Sequence, residues 1–155
     1  MIKPGYFHLI VLLLCLHWST SLWAQSDSTN KTYKPAKVTY DVSTADPKQL
    51  AHLLDRINLL QTVYNHNSFD ASIVLVIHEG AIPLFTKKYP NQEQLMQRAR
   101  GLSLGEMIEF RICEASAKQQ GIGANDLHNF VILVPMADAE LVQLQTQGYA
   151  YLKDF

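Results

Sequence analysis

The stretch FRICEASAKQQGI, residues 110–122, contains Cys113, and the chain has one other cysteine, Cys15. The residues before Cys113 predict a strand, and the residues after it predict a short helix. A thiol at such a junction faces the positive end of the helix dipole, which favours the nucleophilic thiolate. Glu114 beside it opposes that effect, and free cysteine is among the most buried residue types. The pattern alone therefore leaves two interpretations, a reactive thiol and a small core residue.

His78 is the second candidate, because it closes the β-branched run ASIVLVIH, residues 71–78. In open parallel sheets, ligands and reactive groups lie at the carboxyl ends of the strands. His78 is therefore placed to orient or deprotonate the Cys113 thiol if the two strands are neighbours, or else it is a solvated or packing histidine. The other histidines lack metal-ligand spacing, and no glycine-rich nucleotide motif occurs. The sequence thus predicts neither a metal site nor a cofactor.

Strands and helices alternate along the chain. Strand patterns cover residues 37–43, 71–78, 106–113, 130–134 and 149–153. Helical patterns cover the residues after Asp46 and Pro47, residues 83–105 in two pieces broken at Pro90 with Asn91 as a cap, residues 114–121, and residues from Pro135 to about Gln147. The alternation predicts an α/β fold, a three-layer sandwich with a mostly parallel sheet of about five strands.

The strand around residues 108–112 differs from the other central strand patterns. It alternates apolar residues with Glu109 and Arg111, whereas residues 73–77 and 130–134 are entirely apolar. Continuous apolar runs are typical of strands covered on both faces. The alternating strand is therefore expected to have one less-covered face or to lie toward an edge of the sheet.

The first residues resemble a secretory signal peptide. Lys3 precedes an apolar region at residues 6–18, and a small, polar stretch ends at Ala24, the expected cleavage point. This pattern predicts a periplasmic or secreted protein with no membrane contact after cleavage. Two alternatives stay open: an uncleaved membrane anchor, and lipidation of Cys15, which Leu14 disfavours by filling a position that requires a small residue.

Composition limits the remaining possibilities. After the signal segment, residues 1–24, a polar flexible leader is expected at 25–36 and a single α/β domain at 37–155. The formal net charge is −1, and no run of basic residues interleaves with aromatics. Nucleic acid is therefore not an expected partner. A single cysteine after the signal segment also excludes an intramolecular disulfide and a CxxC redox pair.

Three segments together resemble the DsrE/DsrF-like sulfur-relay superfamily: VIHEGAIPLF, FRICEASAKQQGI and the closing GYAYLK. The resemblance implies a compact α/β sandwich and a homo-oligomer such as a trimer or hexamer. In relay members a cysteine at this strand end holds sulfur as a persulfide, and Cys113 matches it. Lys118, Gly121 and Ile122 match the pattern that follows it.

These observations predict a sulfur-carrier or thiol-handling protein that uses Cys113, with His78 and Lys118 in supporting roles. Its partners would be further copies of the chain and a protein that donates or accepts sulfur. Whether such a carrier counts as an enzyme is left undecided. The alternative is a non-catalytic oligomeric binding protein with the same fold and a buried Cys113; a purely structural assembly subunit is a weaker third possibility. Exposure of the Cys113 sulfur separates the first hypothesis from the other two.

Overall fold

A computed structural model describes residues 31–153, and from Tyr33 onward these residues form one compact unit. The predicted signal segment, its cleavage point after Ala24 and the lipidation of Cys15 lie outside the described residues. The strands are β1 Ala36–Val42, β2 Ala71–Ile77, β3 Ile108–Cys113, β4 Val131–Val134 and β5 Ala150–Lys153. The α-helices are α1 Pro47–Val63, α2 Glu93–Ser103, α3 Glu114–Gln119 and α4 Ala137–Thr146, and 3-10 helices span Glu79–Phe85 and Ala124–Asp126.

The five described strands form one parallel sheet in the order β4-β3-β2-β1-β5. Helices pack against it, so the predicted α/β sandwich is confirmed. The chain leaves β4 at one edge and returns as β5 at the other, and α4 makes that crossing over β1 and β2. The carboxyl ends of β1, β2 and β3 consequently lie side by side.

The sheet has two unlike faces. What we call the closed face presents Tyr40, Leu75 and Phe110, which join a large buried cluster with α1 and α2. The open face presents the alternate residues, including Asp41 and Arg111. Among the described helices, α4 packs on the open face. Its residues Ala137, Leu141 and Leu144 form a small buried cluster with Val74, Val76 and Cys113 of the sheet.

Helix α1 begins as its sequence predicts. Asp46 adopts an extended conformation, and its side chain accepts a hydrogen bond from the backbone N–H of Lys48, while Pro47 occupies the first turn, where it loses no hydrogen bond. The apolar stripe of the helix, spaced by three and four residues, is buried against the closed face: Leu50, Leu53, Leu54 and Ile57.

Of the two arrangements predicted for strand β3, the structure shows the less-covered face: β3 lies inside the sheet, and Glu109 and Arg111 are partly exposed on the open face. Two other local predictions differ from the structure. Strand β4 is an edge although its letters are all apolar, and Ile132 is 48% exposed. Asn91 is not the cap of α2, because the helix begins after Gln92 and Asn91 takes a left-handed backbone conformation with φ 57°.

Candidate functional site

Cys113 lies where two helices begin. It is the last residue of β3 and the N-cap of α3, and its Sγ accepts a hydrogen bond from the backbone N–H of Ser116 at 3.4 Å. A second bond, at 3.3 Å, comes from the backbone N–H of Ala137, the first residue of α4. Both donors belong to helix N-termini, where partial positive charge stabilises negative charge on a sulfur atom.

Cys113 is buried, with 5% of the residue exposed, as the binding-protein alternative expects, but it also lines a pocket of about 190 Å³ at the carboxyl edge of the sheet. The pocket lies between the end of β2 and the first turns of α3 and α4. Its lining residues are His78, Glu79, Cys113, Ala115, Ser116, Gln119, Met136, Ala137 and Asp138. That lining includes two carboxylates and no lysine or arginine among the residues that the structure describes.

His78 lines the same pocket, and a hydrogen bond to Asp41 of β1 fixes its side chain. Its Nε2 lies 2.6 Å from Asp41 Oδ1, and both side chains are largely buried. The other Asp41 oxygen accepts a 2.5 Å hydrogen bond from the Tyr151 hydroxyl of β5. That bond raises the pKa of Tyr151 above its ordinary value, because ionisation would place two negative charges together. In the part of the chain described, no hydrogen bond joins His78 to Cys113.

Glu79 is the residue that joins the end of β2 to α3. Its backbone N–H donates to Ser116 Oγ at 2.9 Å, and its carbonyl accepts from the Gln120 side chain at 2.8 Å. Glu79 adopts a positive φ of 47°, a conformation that costs a non-glycine residue energy unless neighbours hold it in place. Ser116 therefore bonds two residues of the pocket. Its backbone N–H donates to Cys113 Sγ, and its hydroxyl oxygen accepts from the backbone N–H of Glu79.

Lys118, the third residue predicted from sequence, does not line the pocket. It lies on the exposed side of α3 and forms an ion pair with Glu114, with 2.8 Å between Nζ and the nearest carboxylate oxygen. This pair balances the acidic side chain next to Cys113, the one that sequence analysis expected to oppose thiolate formation. The structure thus brings Cys113 and His78 into one pocket and leaves Lys118 outside it.

Sequence reasoning missed Asp41, Ser116 and Tyr151. A signal for Asp41 was present, because it is the one acidic residue of β1 and lies near the carboxyl end of that strand. Ser116 and Tyr151 had no comparable signal, since their contacts depend on how α3 meets β2 and on which edge of the sheet β5 joins.

Other surfaces of the described chain offer less chemistry. A larger pocket, of about 430 Å³, lies between α1 and α2, but its two charged side chains, Asp55 and Arg98, are paired with each other. Within residues 31–153, no three histidine, cysteine, aspartate or glutamate side chains are grouped so that they could hold a metal ion. Within the same residues, no helix has the length and apolar character needed to cross a membrane.

The fold has a solved counterpart in a protein of unknown function, MTH1491, from Methanobacterium thermoautotrophicum. The two share 18% sequence identity with a TM-score of 0.63 over 76% of this chain and 98% of the other. No curated protein matches the sequence. The model of the DsrE/DsrF-like family, however, matches residues 37–153, which is most of the chain. The chain therefore belongs to the DsrE/DsrF-like family.

Proposed function

We propose that this protein is a sulfur carrier that holds sulfur as a persulfide on Cys113. Membership of the DsrE/DsrF-like family suggests sulfur relay at the level of the family. The observation that supports a role for this particular thiol is its pair of hydrogen bonds from the N-termini of α3 and α4. Two helix termini directed at one sulfur atom stabilise the thiolate that must act as nucleophile and, later, as leaving group.

The proposed chemistry is an exchange at sulfur and needs no metal, nucleotide or oxidant. The Cys113 thiolate attacks the terminal sulfur of a donor persulfide, the donor's S–S bond breaks, and the donor leaves as a thiolate with the electron pair. An acceptor thiolate then attacks the outer sulfur of the Cys113 persulfide, and Cys113 leaves as a thiolate. The net result moves one sulfur atom from donor to acceptor without a change in oxidation level.

The size of the pocket favours this role over that of a binding protein with a buried cysteine. Pockets for small-molecule ligands usually measure about 300–1,000 Å³, whereas the pocket at Cys113 measures about 190 Å³. That space suits a sulfur-bearing side chain entering from outside better than a complete ligand. Because Cys113 is nearly buried, the pocket is also the route by which a donor would reach the sulfur.

The charges around the pocket indicate which donors should work. Glu79 and Asp138 carry carboxylates, and no lysine or arginine in the described lining offsets them. A small dianion such as thiosulfate is repelled by such a lining, whereas a neutral alkyl persulfide is not. The donor and the acceptor are therefore proposed to carry their thiol groups among uncharged or cationic side chains, as a partner protein can.

The test is the mass of the full chain after incubation with a neutral alkyl persulfide and removal of the excess. A carrier should gain one sulfur, about 32 mass units, and lose it on treatment with dithiothreitol. Cys113→Ser should not gain that mass, whereas Cys15→Ser should gain it like the wild type. A Cys113 that takes up no sulfur, and that iodoacetamide labels only after denaturation, would support the binding-protein alternative instead.

Export is part of the same proposal, on the strength of the Lys3 to Ala24 pattern. N-terminal sequencing of the protein from its native host should find Gln25 as the first residue. Recovery of a soluble cytoplasmic protein that retains Met1 would remove the proposed periplasmic or secreted location while leaving the chemistry at Cys113 untouched.

A further inference from the structure

A chain of hydrogen bonds crosses three neighbouring strands and ends in the pocket. It starts at the Tyr151 hydroxyl on the edge strand β5, passes through both carboxylate oxygens of Asp41 on β1, and reaches Nε2 of His78 at the end of β2. The distances are 2.5 Å for the hydroxyl bond and 2.6 Å for the histidine bond, and both are short, as hydrogen bonds to a carboxylate are. The linked residues are far apart in sequence, so the contact depends on the strand order.

The partners determine where the protons of this chain lie. An ionised carboxylate only accepts hydrogen bonds, so Asp41 accepts from both of its neighbours. The raised pKa of Tyr151 agrees with a phenol that keeps its proton and donates it. His78 must therefore carry a proton on Nε2, which leaves the lone pair of the neutral ring on Nδ1. The tautomer of His78 is therefore set by Asp41, which lies on β1, two strands away from Cys113 on β3.

His78 and Cys113 line one pocket, but their hydrogen-bond partners come from different parts of the protein. The Cys113 sulfur accepts its two hydrogen bonds from backbone N–H groups, and no bond to His78 is found among the described residues. The titratable groups around the His78 ring are Asp41 of β1 and its own neighbour Glu79, with 4.0 Å between Nδ1 and the carboxylate, and Cys113 and Asp138 line the same pocket. Within the described residues Nδ1 has no hydrogen-bond partner, so its lone pair is available to exchange protons with a group that enters the pocket.

We propose that His78 moves protons to and from the thiols of the sulfur donor and acceptor, and that Asp41 and Tyr151 are positioning residues that fix its tautomer. This inference rests on the proposed sulfur-carrier function. As the donor's S–S bond breaks, its departing thiolate takes the Nδ1 proton of the His78 imidazolium. The neutral ring then removes the proton of the acceptor thiol, which attacks as a thiolate and restores the imidazolium. Protons and electron pairs balance over the two steps.

Asp41→Asn tests the tautomer, because the asparagine amide supplies an N–H group where the carboxylate supplied a second oxygen. If the amide N–H faces Nε2, the proton of His78 must move to Nδ1, and the lone pair needed in the pocket is lost. Nitrogen-15 chemical shifts of the imidazole report the tautomer directly. We expect the Nε2–H form in the wild type and a shift toward the Nδ1–H form in the variant, and a wild type in the Nδ1–H form would contradict the inference.

Transfer rates from a neutral alkyl persulfide to a small acceptor thiol, measured in the full chain across pH 5.5–8.5, give the second readout. His78→Gln and Asp41→Asn should each slow transfer about 100-fold, the scale of acid–base assistance, and should alter the pH profile. Tyr151→Phe should slow it about fivefold, the effect of one hydrogen bond. The matched control is Tyr149→Phe, whose hydroxyl bonds Ser72 at 2.8 Å and not the chain, and which should transfer at the wild-type rate.

The outcomes separate the two proposals. If the wild type loads and transfers sulfur while His78→Gln and Asp41→Asn keep its rate and pH profile, the inference about His78 is wrong and the carrier function stands. If the wild type loads no sulfur, the carrier function fails and the inference fails with it. Thermal melts identify any variant that does not fold; should Asp41→Asn be one, His78→Gln and Tyr151→Phe decide the matter.

Discussion

The two faces of the sheet divide stability and chemistry between them. On the closed face, helices α1 and α2 bury a large apolar cluster, and Phe110 packs against Phe85 and Phe130 with ring centroids 6.0 and 5.5 Å apart. On the open face, α4 covers β1 and β2 over a much smaller cluster. The candidate site residues Cys113 and Asp41 point to the open face.

The difference follows from the period of a strand. Successive side chains point to opposite faces, so one strand can supply apolar residues to one side and polar residues to the other. In β3, Ile108, Phe110 and Ile112 belong to the closed face, while Arg111 and Cys113 belong to the open face. The comparison teaches that the site is built on a rigid strand whose stability comes mainly from its reverse side.

The largest expected effect uses one leucine from each face. Leu54 of α1 and Leu144 of α4 are both almost fully buried, in the large and the small cluster respectively. Leu54→Ala should lower the free energy of unfolding by about 4 kcal/mol and Leu144→Ala by about 2 kcal/mol, because a cavity in the smaller cluster collapses more easily. Urea denaturation measures both.

The control for that pair is Leu59→Ala, since Leu59 lies on α1 but is exposed. It should change the free energy of unfolding by less than about 0.5 kcal/mol. If Leu144→Ala proved as costly as Leu54→Ala, the open face would contribute to stability as much as the closed one, and the division between the faces would be lost.

The next prediction concerns the part of the open face that α4 leaves uncovered. We propose that further copies of the chain cover it in a homo-oligomer of three or more chains, because Ile132 is 48% exposed on the edge strand β4. Ile132→Asp should weaken each contact by about 2 kcal/mol, the worth of one buried side chain, and shift the mass measured by light scattering toward the monomer.

The matched control is Phe69→Asp, because Phe69 is more exposed still, at 93%, but lies in the turn before β2. It should leave the oligomer unchanged. A wild-type protein that is monomeric at micromolar concentration would contradict the proposed assembly, and so would equal dissociation in the two variants.

A smaller effect is expected from the charged cluster of the open face. Arg111 donates to Glu109 at 2.7 Å and also bonds Glu140 of α4. Burial alone would lower the pKa of Arg111, but the bonds and the attraction of these two carboxylates outweigh it and raise the pKa. Arg111→Met should cost about 1–2 kcal/mol, between the values for exposed and buried pairs, and less in high salt.

Arg98→Met is the comparison variant for the charged cluster, because Arg98 pairs with Asp55 and both side chains are well exposed. Its cost should stay below about 0.5 kcal/mol. Equal costs for the two arginine variants, measured by urea denaturation at low salt, would indicate that the open face does not shield its ion pairs from solvent.

The smallest expected effect distinguishes two histidines. His128 stacks on Phe130, and burial, with Lys87 nearby, lowers its pKa below the ordinary value of about 6.5. Because the unfolded chain then binds the proton more readily, the stability that His128 contributes is present above pH 6.5 and is lost as the pH falls below it. His128→Gln should therefore lose less stability than the wild type between pH 7.5 and 5.5, as thermal melts can show. Sulfur transfer should be unaffected, unlike in His78→Gln.

Much of the fold follows from local patterns in the sequence. The spacing of Leu50, Leu53 and Ile57 predicted α1, and the continuous run at residues 73–77 predicted a strand covered on both faces. The strand order could not be read in this way. The alternation of Glu109 and Arg111 was compatible with an edge or with a half-covered face, and the choice depended on where α4 lies.

The site was predictable to the same extent. Cys113 and His78 were identified because each closes a predicted strand, a feature of the chain itself. Their hydrogen-bond partners were not, because Asp41 meets Tyr151 only after β5 has joined the sheet beside β1. The thiol's second N–H donor, Ala137, likewise reaches Cys113 only through the path of α4 after β4.

The central claim is that Cys113 holds sulfur, and the most direct measurement is the mass of the peptide containing Cys113 in protein isolated from its own cells without reductant. The account predicts a fraction heavier by one sulfur, about 32 mass units, which dithiothreitol removes. It would be contradicted by a Cys113 that is always a free thiol in the isolated protein and that reacts with iodoacetamide only after the chain has been unfolded.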